Sequence, residues 1–282
     1  WAADNLNRGY YAKQAQQIRT MELADGTRVR INQDINAATT GLQYLFSRIR
    51  DYNQWQKDVS PEGFALTYRA LFGDPFQNSI VPLVPDNLTQ PTLELPFANA
   101  QTWLYTGGPH GGWGSGSAWA AVDFAPPDDL DTVTSSCYVS SFYATAAAPG
   151  VIARTDEGTV VLDLDGDGDE STGWTILYLH IASEGRINAG ASVSPGDRIG
   201  RPSCEGGFSN GTHLHLARRY NGEWIPADCS TCVLHPRPAF VIGAWAVLGL
   251  PNQEYQGYMT NGSRQIVAEQ GRNIADNRIT WQ

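Results

Sequence analysis

The sequence predicts an α+β protein: a helical N-terminal domain, then a mainly antiparallel β-sheet domain, then a short C-terminal extension. Three observations carry this. Apolar residues recur at helical spacing before about residue 95. From about residue 97 to 235 the pattern changes to short β-rich runs separated by Gly and Asp turns. The 29 glycines and 16 prolines among 282 residues imply many turns and short strands.

A first helix is expected over roughly Leu6 to Leu23, closed by the Asp25-Gly26-Thr27 turn and a short extended piece. Leu42, Leu45, Ile49 and Tyr52 then recur at helical spacing, with Phe46 widening the stripe. The next helix is expected to start with Ser60 as cap and Pro61 in its first turn, burying Phe64, Tyr68 and Leu71. Residues 1–95 contain no histidine and no catalytic spacing, and read as a packing or binding domain. Between Val81 and Pro96 stand Pro82, Pro85, Pro91 and Pro96, the composition of an extended surface linker.

Strands are expected at Ala144–Ala153, Thr159–Leu164, Thr175–Ile181 and Leu214–Tyr220, in a sheet with hairpin connections. Residues 236–282 form a tail with several aromatics. The apolar run from Ala239 to Leu250 is too short to span a bilayer and reads as a buried strand or helix.

With 41% hydrophobic and 17% charged residues the chain has the make-up of a globular protein rather than a disordered one. A formal net charge of -10 argues against nucleic acid as a partner, since phosphate binding needs a clustered basic face. The chain starts at Trp1, as a processed chain would. Cys137, Cys204, Cys229 and Cys232 favour disulfides and an oxidising, secreted or cell-envelope location. The Cys229-x-x-Cys232 pair lacks the second pair that a zinc ribbon needs. Three connectivities remain open, and Cys137–Cys204 with Cys229–Cys232 is the favoured one.

The chemistry lies in the five histidines, all between residues 110 and 235. His213 and His215 stand two apart in a strand, so both imidazoles look to one face while Leu214 and Leu216 pack on the other. The bland alternative is a polar strand face. His180 closes the strand Ile176-Leu-Tyr-Leu-His180, where a lone histidine is usually structural. His110 sits in Gly107-Gly-Pro-His110-Gly-Gly-Trp-Gly. Asp123 follows in the apolar Ala120-Ala-Val-Asp123-Phe, where a buried carboxylate is costly unless it is paired or binds a metal. Together these residues supply a metal site and two spare imidazoles. A hydrolytic zinc needs three protein ligands and an open position for water. No His-Glu-x-x-His helix is present, which excludes the helical zincin architecture. His235, in Leu234-His-Pro-Arg, has no partner at useful spacing and is left out of the site.

Over about residues 97–235 these motifs resemble the lysostaphin-type (β-lytic, staphylolysin-like) zinc endopeptidases of bacteria. The resemblance rests on His110, Asp123 after the long gap of the β-lytic branch, His180, and the late His213-Leu-His215. It extends to Val193-Ser-Pro-Gly-Asp-Arg-Ile-Gly200 and Gly206-Gly-Phe-Ser-Asn-Gly-Thr212. It implies zinc held by His110, Asp123 and His215, with His180 and His213 relaying protons or stabilising an oxyanion. It also implies glycine-rich peptide, bacterial wall cross-bridges included, as substrate. Tyr105, Trp113 and Trp119 flank the His110 loop and either wall a narrow groove or belong to the core.

A second metal, calcium, is one of two readings of Asp163-Leu-Asp165-Gly-Asp167-Gly-Asp169, which matches the first half of a calcium-binding loop. Its twelfth position is Trp174 instead of glutamate, and a solvated acidic hairpin tip is the alternative. Two other readings of the whole chain stand beside an active enzyme. One is a metal-free relative that binds wall peptide or a partner hydrolase. The other is a proenzyme whose N-terminal region blocks the groove, with Pro82–Pro96 as the processing site.

Overall fold

The computed structural model describes residues 1–77, 79–128, 131, 133–230, 232, 236–271 and 275–281. His235 lies outside them. The chain divides into two compact units. Unit 1 comprises Trp1–Leu83 with Trp113–Ala118, and unit 2 comprises Val84–Gly112 with Trp119–Gln282.

Unit 1 contains α1 (Ala2–Gln14), the hairpin β1 (Thr20–Glu22) and β2 (Arg28–Arg30), then α2 (Ala37–Ser47), α3 (Tyr52–Asp58), a π-helical turn (Pro61–Ala65) and α4 (Leu66–Phe72). The first helix stops well short of Leu23. Gln16 takes a positive φ of 55°, and the chain turns back through Gly26 to pair β1 with β2. The stripe from Leu42 to Tyr52 does not belong to one helix. Asp51 caps a new one by accepting from the Gln54 amide at 2.8 Å, which leaves Ile49 in the connection and 46% exposed. The helix after Ser60 does not bury its apolar face either: Phe64, Leu71 and Phe72 are all exposed. By contrast, α1 and α2 meet through small residues. A Cβ on Gly9 would stand 2.8 Å from the Gly41 Cα, so packing there rests on the absence of side chains, not on leucines.

Unit 2 is built on β3 (Thr102–His110), β4 (Ala121–Ala125), β5 (Ala144–Thr145), β6 (Gly150–Asp156), β7 (Thr159–Asp163), β8 (Trp174–Leu179), β9 (Ser192–Val193), β10 (Arg198–Gly200), β11 (Leu214–Tyr220) and β12 (Glu223–Trp224). Then follow β13 (Val241–Ile242), β14 (Trp245–Leu250), β15 (Gln253–Thr260), β16 (Gln265–Val267) and β17 (Arg278–Thr280). A nine-stranded sheet runs in the order β17-β3-β4-β11-β8-β7-β6-β9, with β12 paired to β11. All its pairs are antiparallel. A second sheet, β13-β14-β15-β16, is formed by the segment after residue 236.

Expected strand Ala144–Ala153 is split into β5 and β6 by Pro149, which lacks the amide a ladder needs. The expected surface linker is corrected at its far end. Leu93, Leu95 and Phe97 are buried in the main core, and Glu94 donates its amide to the Ala147 carbonyl at 2.7 Å. Both favoured disulfides form, Cys137–Cys204 and Cys229–Cys232. Among the described residues no helix is long and apolar enough to cross a membrane.

Candidate metal centre

Strand register builds the site. His215 on β11 stands opposite Asp123 on β4, and on its other flank opposite Leu179, the last residue of β8. Directly opposed residues project on the same face, so the imidazole and the carboxylate are brought together by sheet pairing alone. His213, two residues earlier, shares that face, while Leu214 and Leu216 are fully buried in the core behind it. His110 ends β3 opposite Ala121. His180 follows β8 in the left-handed region, φ 66°, which a non-glycine residue rarely adopts. That strained backbone sets its ring 4.5 Å from the His213 ring and 6.3 Å from the His215 ring.

Three donor atoms converge. His110 Nε2 lies 2.9 Å from His215 Nδ1, and Asp123 Oδ1 lies 3.2 Å from the first and 3.3 Å from the second. The remaining ring nitrogens are committed to backbone. His110 Nδ1 donates to the Gly108 carbonyl at 2.8 Å, and His215 Nε2 to the Gly112 carbonyl at 3.0 Å. Each commitment fixes a tautomer that leaves a lone pair on the nitrogen facing its partner. Two lone pairs and a carboxylate oxygen thus meet in a buried space, and Asp123 Oδ1 finds no hydrogen bond of good geometry there. Such an arrangement calls for a cation. Ligands held at about 2.0–2.1 Å around a tetrahedral zinc stand about 3.3 Å apart, close to the three separations found here.

The buried groups shift one another's pKa values. Burial works to lower the His110 pKa, but the Asp123 charge and the Gly108 carbonyl outweigh it and raise it. Burial would raise Asp123, yet His110 and His213 hold it well below the usual carboxylate range. Burial lowers His215, and burial together with neighbouring His213 pushes His180 down to about 4, so both favour the neutral ring. His180 Nδ1 donates to the Glu205 carbonyl at 2.9 Å and His213 Nδ1 to the Gly211 carbonyl at 2.7 Å, and neither Nε2 makes a hydrogen bond to a described residue. His213 Nε2 lies 3.6 Å from Asp123 Oδ1.

Two residues missed by the sequence reading complete the surroundings. Tyr255 on β15 stacks on His110, with centroids 4.2 Å apart and planes 19° apart. Its φ of 67° is again left-handed. Its neighbour Glu254 accepts from the Gly111 amide at 3.2 Å through Oε1. No motif in the sequence marks this pair. The strained backbone of a bulky aromatic shows only in the fold.

Of the aromatics that flank the His110 loop, Tyr105 belongs to the core: it is fully buried and packs on Phe124. Trp119 is partly buried, and Trp113 is 40% exposed within unit 1. Asp163, Asp165 and Asp167 gather with one oxygen each inside 4.8 Å of the others, while Asp169 turns to Ser171. The loop amides already serve this cluster, Asp165 and Gly168 donating to Asp163 and Asp167 to Asp165. The calcium expectation therefore rests on the cluster alone.

A family model described as the N-terminal domain of LasA matches residues 1–85, the part of the chain without histidine motifs. Protease LasA of Pseudomonas aeruginosa is 26% identical over 242 residues, covering 78% of this chain and 53% of its own. The chain thus spans about half the length of the curated relatives it matches. Among solved structures, the M23 metalloprotease pseudoalterin from the deep sea is 24% identical at a TM-score of 0.48, covering 64% of this chain and 96% of its own. The catalytic domain of the antimicrobial peptidase lysostaphin from Staphylococcus simulans is 21% identical at a TM-score of 0.30, covering 45% and 89%.

Proposed function

We propose that this chain is a secreted zinc endopeptidase that hydrolyses peptide bonds in glycine-rich peptides, peptidoglycan cross-bridges among them. The observation that carries the reading is the convergence of His110 Nε2, His215 Nδ1 and Asp123 Oδ1, each aimed by its own strand. Similarity to Protease LasA, a protease by name, supports it.

His110, Asp123 and His215 would hold the zinc. When bound, the metal polarises a carbonyl and lowers the pKa of a water to about 7. The Gly108 and Gly112 carbonyls keep the two imidazoles in the tautomers that face it. His180 and His213 hold their Nδ1 protons on backbone carbonyls, so each Nε2 is free to take a proton from the attacking water. Once protonated, the same nitrogen donates to an oxyanion or to the leaving amine, work worth about 10²- to 10⁴-fold in rate. Tyr255 lies flat over His110 and shields it from solvent. The two disulfides suit an oxidising compartment.

Metal content of the purified chain, paired with cleavage of a pentaglycine peptide with and without chelator, tests the reading. One zinc per chain and cleavage abolished by chelator are expected. Alanine at His180 or His213 is expected to lower kcat by about 10²-fold or more while zinc stays bound. Absence of both zinc and cleavage after metal is supplied would overturn it.

A further inference from the structure

We propose that the cavity beside the Asp123–His213 edge is a substrate subsite for an uncharged, hydrogen-bonding peptide residue, and that Gln270 sets its selectivity. The proposal rests on the peptidase reading above and names the part of the substrate which that site selects.

The cavity has a volume of about 310 Å³ and opens against Asp123 and His213, so whatever fills it lies next to the metal ligands. Among the described residues its other walls are neutral: Thr106, Tyr138, Asn210 and Gln270 line it with Ala125 and small residues. One wall is built and held before any ligand arrives. The Thr212 hydroxyl donates to the Tyr138 carbonyl at 2.6 Å and accepts from the Tyr138 amide at 2.9 Å, while the Thr212 amide donates to Ser136 at 2.8 Å. Cys137, between those two residues, is tied to Cys204. Gln270 and Gly271, from the segment after β16, also line the cavity.

The side-chain amides of Asn210 and Gln270 make no hydrogen bond to another described residue, although both line the cavity. A carboxamide offers donors and an acceptor together, the complement of a peptide N–H and C=O. The volume stands at the lower end of sites that enclose small ligands, about 300–1,000 Å³, and fits one side chain with its adjoining peptide group. A glycine in this position leaves the space unfilled. Among the described residues a charged side chain meets no partner there except the Asp123 carboxylate, which the peptidase reading commits to the metal. The geometry therefore favours a small or medium uncharged residue, such as serine, alanine or glutamine, on this side of the cut bond.

Gln270 is exposed, so its replacement does not disturb the core, and it touches none of the reacting groups. The test uses dye-labelled peptides Gly-Gly-Gly-Xaa-Gly-Gly, with Xaa Gly, Ser, Gln, Glu or Lys, against the full zinc-loaded chain and its Gln270→Lys and Gln270→Glu variants. Binding is read by anisotropy with cleavage in parallel, and thermal midpoints check folding. The wild type is expected to bind Ser and Gln peptides about fivefold tighter than Glu or Lys peptides. Gln270→Lys should shift preference toward Glu, and Gln270→Glu toward Lys, by about fivefold, in Kd and KM with kcat unchanged. Preferences that stay within twofold across the three proteins would overturn the subsite, whether or not the peptides are cut. Selective binding without metal-dependent cleavage would sustain the subsite and sink the peptidase reading instead.

Discussion

Gly107 stands opposite Asp123 in the β3–β4 register, and a Cβ placed on it would come within 2.5 Å of the Asp123 Oδ2. The bare backbone at Gly107 is what lets the carboxylate lie flat against β3 and direct its other oxygen at the two histidines. Gly107→Ala is expected to keep the fold while moving Asp123, weakening zinc by about 10- to 100-fold. Zinc titration against a competing chelator reads the change, and unaltered affinity would refute this account.

Tyr255 makes a second, separable test. Tyr255→Phe keeps the ring over His110 and should hold zinc affinity within about twofold. Tyr255→Ala uncovers the imidazole and should weaken zinc by about tenfold. Equal affinities in the two variants would show that the stack has no part in holding the ligand.

Glu170 sets an acid limit on stability. It accepts from Arg154 at 2.9 Å and from Arg219 at 2.8 Å; burial alone would raise its pKa, but these partners lower it. A carboxylate with a depressed folded pKa stabilises above its unfolded value of about 4.3 and loses that contribution as pH falls through the folded value. Glu170→Gln should therefore melt lower at pH 7, with the gap to wild type closing below about pH 4. Thermal midpoints taken from pH 7 to pH 2 check it, and a gap independent of pH would contradict it.

Arg218 is wholly buried yet serves four acceptors: Gln90, Pro238, Pro226 at 2.9 Å and Ala239 at 3.1 Å. It lies over the Phe240 ring, and burial lowers its pKa to about 9. Methionine would refill the volume and remove the cost of burying a charge. The three carbonyls, being backbone, would nonetheless be left dry. Arg218→Met is expected to cost about 2–3 kcal/mol in urea unfolding. A neutral result would mean that relief of the buried charge offsets the lost bonds.

Much of the centre was legible because a sheet has a period of two. His213 and His215 share a face by spacing alone, and an aspartate inside Ala120–Phe124 needs a partner wherever it lies. What escaped depends on tertiary contact. Tyr255 reaches His110 only because β15 packs beside β3, a meeting without local signal. In unit 1 the apolar stripes misled: α1 and α2 approach through Gly9 and Gly41, which no leucine pattern marks, and Leu71 and Phe72 of α4 stay exposed. The linker reading failed at Leu93 and Leu95 because prolines announce extended chain but do not say whether it is buried.

The sheet order has a bearing on how the molecule is made. His110 comes from the strand that pairs with β17, and its partner His215 and its cover Tyr255 follow more than 100 residues later. During synthesis the first ligand emerges long before anything can complete the site. Closure of the sheet waits for Arg278–Thr280 to add the last strand against β3. At translation speeds of about 5–20 residues per second, His110 waits several seconds for His215 and Tyr255 to emerge.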